Sequence, residues 1–272
     1  MSVYAVDLLY NQIPPFDGAA IVSQIEQRTD VLEAVGPGRQ PDSAVFAHRP
    51  PVHEKPAGST YIPRLVVSLQ HEPLPYETLR PALQQAWDWP DANVVVAAHQ
   101  GVIRIADFHA DELEPRTRLA LMHDAVEAMV DVAPCVALHW RASQCVTSPH
   151  QYLAARTHEQ DAIFPAVHVR HFDELESLGK ETLSDTLGLA ALGLPDLQCH
   201  YAGLDRADVA QLLQRIARVL FAQGNVLADG DTVAGLPSGE LWQCRRGLAH
   251  VGPVRDVIRL TPGAPFGAER ST

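Results

Sequence analysis

Strand-like and helix-like segments are mixed along this chain without the regular strand–helix–strand rhythm of a doubly wound parallel sheet. Apolar or alternating runs predict strands at 3–9, 64–69, 101–108 and 166–172. One amphipathic helix is predicted to begin at Pro115, and a second one spans 206–223, between an Asp205 N-cap and Gly224. This mixed order predicts an α+β fold, in which mixed or antiparallel sheets pack against helices.

A polar, acidic stretch at residues 157–161 is the best candidate for a boundary within the chain. It divides the sequence into two similar-sized α+β halves, 1–156 and 157–272, although one continuous domain is also compatible with 272 residues. In the second half, the leucine-rich segment 183–192 is predicted to be a helix that ends at Gly193 and Pro195. The Pro- and Gly-rich C-terminal end is predicted to be a frayed tail.

The acidic balance of the chain restricts its partners. With 21 basic and 33 acidic residues the formal net charge is -12, and no run of Lys or Arg interrupts it. Such a field repels a nucleic-acid backbone and attracts a basic protein, although the same charge also serves solubility alone. The first residues lack a secretory signal pattern, and no apolar run approaches the ~20 residues that cross a bilayer. We therefore expect a cytoplasmic protein with neither a nucleic acid nor a membrane as its partner.

The sequence contains no recognisable catalytic or cofactor motif. Residues 229–240 place acids at three positions of a calcium loop, but Val233 and Ala234 break the pattern, and a β-hairpin or a surface turn explains the segment better. Ser177 and Lys180 match the short S-x-x-K pattern, yet their acidic flank indicates an exposed loop. The 13 histidines and four widely spaced cysteines show no metal-ligand spacing, so neither a metal nor a cofactor is predicted.

Two aspartates interrupt or end apolar strands. If Asp7 and Asp107 were buried, their pKa values would be raised and either carboxyl could act as an acid or a base. The alternative, which we favour, is a carboxylate at a strand end that accepts backbone hydrogen bonds. A catalytic site assembled from distant residues would leave no local pattern in the sequence.

Four residues are candidates for contact with a partner protein. Trp87 continues the helical spacing of Leu79 and Leu83 and is expected in the core, whereas Trp89 is a candidate anchor for a partner. The other three candidates are the acidic residues Asp173, Glu174 and Glu176.

Four stretches carry a resemblance to a known family: 84–90 (QQAWDWP), 102–108 (VIRIADF), 133–140 (APCVALHW) and 185–198 (DTLGLAALGLPDLQ). In this order they resemble the bacterial DUF4261 family, a domain of unknown function, over residues 3–260. The resemblance implies no enzymatic activity and no catalytic residues. Such domains are similar in style to the small acidic proteins that are encoded beside bacterial toxins, including toxins delivered by contact-dependent secretion systems.

These features predict a non-enzymatic cytosolic binding protein. The leading hypothesis is an immunity protein that neutralises a secreted bacterial toxin by direct association, and a basic toxin is the partner that the charge favours. The alternatives are a hydrolase whose site is assembled between the two halves and a structural or assembly subunit.

Overall fold

The computed structural model describes residues 4–36, 41–49, 53–54, 60–110, 113–158, 162–173, 181–236 and 240–268. The chain forms two compact units, Met1–Pro165 and Ala166–Thr272. Each unit contains a β-sheet and at least one helix that packs against it, which confirms the predicted α+β fold.

The first unit is built around an antiparallel sheet. Its strands are β1 (Tyr4–Tyr10), β2 (Leu32–Ala34), β3 (Ser43–His48), β4 (His53–Glu54), β5 (Thr60–Tyr61), β6 (Arg64–Gln70), β7 (Gly101–Phe108), β8 (Ala137–Trp140) and β9 (Cys145–Thr147). Its helices are α1 (Gly18–Arg28), α2 (Tyr76–Leu83), α3 (Ala92–Ala97), α4 (Pro115–Val132) and α5 (Pro149–Arg156). Seven of these strands form one sheet in the order β2-β3-β6-β7-β1-β8-β9, and β4 pairs with β5. The edge strands β2 and β9 are three residues long.

The core of the first unit lies on both faces of β1, all of whose residues are buried. Helix α4 covers one face, because the ring of His123 on α4 lies 5.1 Å from the ring of Trp140 on β8. Helices α2 and α3 pack against the opposite face, where Leu9 and Val102 belong to the same apolar cluster as residues of both helices. The segment 92–99, whose period the sequence leaves open, thus contains a short helix rather than a strand.

Helix α4 forms where the sequence predicts it. It begins at Pro115, the side chain of Glu114 accepts a hydrogen bond from the Thr117 amide, and the stripe through Leu119, Met122 and Val126 is buried. Proline is favoured in the first turn because its missing N–H has no partner there in any case.

The second unit has a mixed sheet. Its strands are β10 (His168–Asp173), β11 (Glu181–Leu187), β12 (Asp196–Ala202), β13 (Thr232–Ala234), β14 (Leu241–Leu248) and β15 (Asp256–Thr261). They lie in the order β10-β11-β12-β15-β14-β13, and every pair is antiparallel except β12 and β15. Helix α6 (Arg206–Gln223) has the predicted bounds and packs against β10, β11 and β12. The edge strand β13 is three residues long and forms the predicted hairpin with β14.

The predicted helix over 183–192 is wrong. Residues up to Leu187 belong to β11, and only Leu189–Leu192 form a 3-10 turn. The leucines at 183 and 187 mimic one face of a helix, but the intervening residues of β11 are buried as well, so the strand is covered on both faces. Gly188 then turns the chain with φ +129, where a Cβ atom would lie 2.0 Å from the carbonyl oxygen of Ala166.

The C-terminal segment returns to the second sheet. Gly267 forms a bridge with Tyr201 on β12, and Ala268 is buried. Among the helices that the structure describes, none has both the length and the apolar character that a membrane crossing requires.

Candidate functional site

The two neighbouring tryptophans of the first unit differ in exposure. Trp89 is half-buried and packs against the apolar cluster beneath α2 and α3. Trp87 is 62% exposed, so its predicted place in the core is wrong. The reason is that α2 ends at Leu83, and Trp87 no longer continues the buried stripe of Leu79 and Leu83.

The acidic candidates lie in the second unit. Asp173 is exposed at the end of β10 and pairs with Arg206 at the start of α6, and this hydrogen bond lowers the pKa of Asp173. Glu174 and Glu176 lie outside the described residues, as do Ser177 and Lys180. Since Trp89 belongs to the first unit and Asp173 to the second, we treat them as separate features.

Exposed aromatic, apolar and acidic side chains share the α2–α3 segment. We define the α2–α3 surface by its exposed residues Tyr76, Glu77, Trp87, Asp88, Asp91 and Val94. Tyr76 is 56% and Val94 is 74% exposed. The basic side chain on α2, Arg80, forms an ion pair with Glu77 at 2.9 Å. The surface therefore combines large apolar groups with the carboxylates of Asp88 and Asp91, which follow Trp87 in the sequence.

The backbone beneath this surface is fixed by packing and hydrogen bonds. The Trp87 indole Nε1 donates to Gln85 Oε1 at 3.1 Å, and Gln151 on α5 donates to the Asp88 carbonyl oxygen at 3.2 Å. His99 Nε2 accepts from the Leu74 amide at 2.8 Å, so the proton is on Nδ1, which donates to the carbonyl oxygen of Val96 at 2.6 Å. The α2–α3 surface is thus presented on a preformed support, which lowers the entropic cost of binding.

A row of polar residues crosses one face of the first sheet. Ser43, Ser68, Arg104, Asp7 and His139 occupy directly paired positions on β3, β6, β7, β1 and β8. We call these five residues the first polar row. They lie side by side because cross-strand partners project from the same face of a sheet.

Asp7 is the centre of this row and is fully buried. Arg104 Nε donates to Asp7 Oδ1 at 2.6 Å, Arg141 Nη1 donates to Oδ2 at 3.0 Å, and His139 Nδ1 lies 3.5 Å from Oδ2. Burial alone would raise the pKa of Asp7, but interactions with His139 and Arg104 outweigh it and lower the pKa to about 2. The favoured interpretation of Asp7 as a strand-end acceptor of backbone hydrogen bonds is wrong, and so is its alternative with a raised pKa.

Asp107 also differs from the favoured prediction of a carboxylate that accepts backbone hydrogen bonds, because its partner is an arginine side chain. Arg118 on α4 donates from Nε and Nη2 to the two Asp107 oxygens at 2.6 and 2.8 Å, and both residues are buried. The Arg118 guanidinium also lies over the ring of Tyr4, 5.0 Å from its centroid. This fork-to-fork pair fastens α4 to β7 and leaves no carboxylate oxygen without a donor.

The second sheet contains a comparable buried network. Arg170 donates to both oxygens of Asp185 at 2.9 and 2.7 Å, and Arg255 links Asp185 to Asp196 at 2.6 and 3.0 Å. Arg255 also donates to the carbonyl oxygens of Val251 and Pro253, so the network holds the β14–β15 connection. Burial raises the pKa of Asp196 to about 6, although the Arg255 charge opposes this shift.

One hydroxyl–imidazole contact resembles part of a hydrolase site. His171 Nδ1 lies 2.7 Å from Ser184 Oγ, which is 3.0 Å from the Tyr201 hydroxyl. Ser184 is fully buried in the middle of β11. A serine nucleophile must reach a substrate carbonyl, so this contact is better explained as a satisfied polar chain between strands.

Metal ligands do not converge in the part of the chain that the structure describes, where no group of three or more His, Cys, Asp or Glu could hold an ion. The four cysteines are unpaired and buried, and burial raises the pKa of the Cys135 thiol to about 12. Such thiols are inert, as the sequence predicts.

Residues 185–261 match the model of a family described as Domain of unknown function (DUF4261). These residues contain β12, α6, β14 and β15 and both aspartates of the buried network in the second unit. No curated protein and no solved structure matches the chain.

Proposed function

We propose that this chain, a member of the DUF4261 family, is a cytosolic binding protein without catalytic activity, and that it docks a basic protein on its α2–α3 surface. The observation that carries the proposal is the 62% exposure of Trp87 in a segment that hydrogen bonds hold in place and that also exposes Asp88 and Asp91. An indole of this size in water is unusual for a residue whose only role is structural.

The chemistry of the surface specifies the class of partner. Tryptophan is enriched among the few residues that dominate binding energies at protein interfaces. Its ring face attracts an ammonium or guanidinium group, and neighbouring carboxylates strengthen that preference. The formal charge of -12 adds a long-range attraction for a positively charged protein.

Two buried polar groups of the kind that a catalytic site uses, Asp7 and Ser184, lend no support to a catalytic role. Asp7, with its pKa near 2, stays ionised and does not exchange protons near neutral pH. Ser184, the serine in contact with an imidazole, is enclosed within the second sheet. The hydrolase alternative therefore gains no support from either group.

We further propose that the partner is a bacterial toxin, which the protein neutralises by covering a functional surface. This finer proposal rests on the resemblance to small acidic proteins encoded beside toxins and on the match of charge.

The direct test uses the product of the neighbouring toxin-like gene, titrated against the full chain by calorimetry. We expect a submicromolar complex that Trp87→Ala weakens at least about ten-fold, because loss of a central aromatic anchor costs on the order of 2 kcal/mol. Asp88→Asn combined with Asp91→Asn should weaken it further and reduce its salt dependence.

Leu248→Ala is the matched control, since Leu248 is also exposed, at 57%, but lies on β14 of the second unit. It should leave the affinity unchanged. A complex that Trp87→Ala does not weaken would place the interface elsewhere. If the chain forms a complex with none of these gene products, the toxin proposal is wrong.

A further inference from the structure

We propose that the first polar row and the adjacent Arg141 form a binding site for a compact oxyanion, a carboxylate or phosphate group, held between the guanidinium groups of Arg104 and Arg141. This inference is independent of the α2–α3 surface and of the docking function proposed for it.

Asp7 preorganises the two cations. Each of its carboxylate oxygens accepts from a different arginine, Oδ1 from Arg104 Nε at 2.6 Å and Oδ2 from Arg141 Nη1 at 3.0 Å. The two guanidinium groups are therefore anchored to one buried carboxylate and kept close together despite their like charge. Holding both side chains in place before binding removes most of the entropic cost of ordering them around a ligand.

Most N–H donors of this pair meet no acceptor among the residues that the structure describes. A guanidinium carries five N–H groups, and among the described residues each of the two arginine side chains donates to Asp7 alone. The side chains of Arg104 and Arg141 are 25% and 36% exposed, so ions from solution can reach them. Forked N–H groups match the geometry of carboxylate and phosphate oxygens.

The local charge is positive in a strongly acidic protein. Two permanent cations face one carboxylate, because the pKa of about 2 keeps Asp7 at a single negative charge. The remaining members of the first polar row, Ser43, Ser68 and His139, add no second carboxylate. One arginine neutralises the negative charge of Asp7. The second arginine therefore leaves one positive charge, which a bound oxyanion would balance.

Ser68 supplies a further donor. It is directly paired with Arg104 and half-buried, so its side chain projects from the same face of the sheet as that of Arg104. A hydroxyl on this face can donate to a third oxygen of a phosphate, whereas a carboxylate has only two oxygens to satisfy. This difference favours phosphate over carboxylate at the site.

The test is titration of the full chain with inorganic phosphate and, separately, with acetate, at constant ionic strength in chloride, followed by calorimetry. We expect saturable binding of phosphate, with acetate weaker. Arg141→Gln should weaken binding at least about ten-fold, since it removes charge-assisted hydrogen bonds. Arg49→Gln is the matched control, because Arg49 is an exposed arginine of the same unit that pairs with Glu33 at 3.8 Å, and it should leave binding unchanged.

Arg141→Gln leaves Asp7 paired with Arg104, and circular dichroism verifies its fold. Should this variant not fold, Arg141→Lys keeps the charge and loses the fork, and the same weakening is expected from it. Ser68→Ala should reduce the preference for phosphate over acetate. Absence of saturable binding of both anions, or equal affinities in the wild type and the Arg141 variants, overturns the proposal.

Discussion

Buried aspartates in this protein are tolerated because arginines from other elements meet them. Asp7 pairs with Arg104 and Arg141, Asp107 with Arg118, and Asp185 with Arg170 and Arg255. Such clusters add little net stability compared with apolar side chains, but breaking one is costly because it leaves charges without partners. These residues therefore specify how the strands and helices are arranged.

Replacement of Asp7 tests this at a single position. We expect Asp7→Asn to lower the free energy of unfolding by about 3 kcal/mol, because two guanidiniums lose their common carboxylate. Asp131→Asn is the control: Asp131 pairs with Arg28 in an exposed position, and its loss should cost less than about 1 kcal/mol. Urea denaturation at neutral pH measures both values, and equal costs would contradict the argument.

His123 gives the first unit a dependence on acid. Burial, and secondarily the Arg156 charge, hold the pKa of His123 well below 6.5, so the folded state keeps it neutral. The unfolded chain takes up a proton below about pH 6.5, so stability is full above that pH and falls with a slope of up to about 1.4 kcal/mol per pH unit.

His123→Phe should make this slope shallower, since a ring that does not titrate still packs against Trp140 and Tyr152. Denaturation at pH 8 and pH 5 measures the change, and the exposed His150 on α5, replaced by Phe, controls for the loss of a histidine. An unchanged slope in His123→Phe would show that His123 does not carry the effect.

At the scale of elements, the sequence is most informative where one face of an element is buried. Helices α4 and α6 show a clear apolar stripe and their bounds follow from it, because period and burial agree. Strand β11 is covered on both faces, so its leucines lose the alternation that marks a strand and imitate a helix. The sequence wrongly predicts Trp87 in the core for a related reason, since no local sequence signal marks the end of α2 at Leu83.

The turn after β11 is the element that tolerates change least. In Gly188→Ala, the new methyl group would meet the Ala166 carbonyl at 2.0 Å, and φ is +129 there. We expect a loss of more than about 3 kcal/mol, or failure to fold. Gly193→Ala is the control, because φ is +76 but nothing lies within 4 Å of the new atom.

The control should therefore cost about 1 kcal/mol, the price of the left-handed conformation alone. Thermal unfolding of both variants checks this, and similar melting temperatures would show that the close approach to Ala166 is relieved cheaply.

At the scale of the whole molecule, the cluster of Asp7, Arg104 and Arg141 could not have been predicted from the sequence. Arg104 and Arg141 are 97 and 134 positions away from Asp7, and their meeting depends on the strand order of the sheet. The sequence did single out Asp7 and Asp107 as unusual acids within apolar strands, but it carried no signal for their partners. Net charge, by contrast, is a sum over residues that does not depend on the fold, so the sequence alone gives it.

The net charge leads us to predict how the rate of association with a partner depends on salt. The field of a chain with a formal charge of -12 should accelerate encounter with a basic partner at low salt. Stopped-flow measurement should show the association rate constant falling as salt rises, while the dissociation rate changes little, since screening acts over about 10 Å at 0.1 M salt. A rate that salt does not affect would contradict a basic partner.

Among the described residues, three of the four edge strands of the two larger sheets are only three residues long: β2, β9 and β13. Such short edge strands present few unpaired backbone N–H and C=O groups with which another polypeptide could form β-sheet hydrogen bonds. We therefore expect pairing between copies of the protein through these three edges to be disfavoured, which leaves β10 as the longer edge strand.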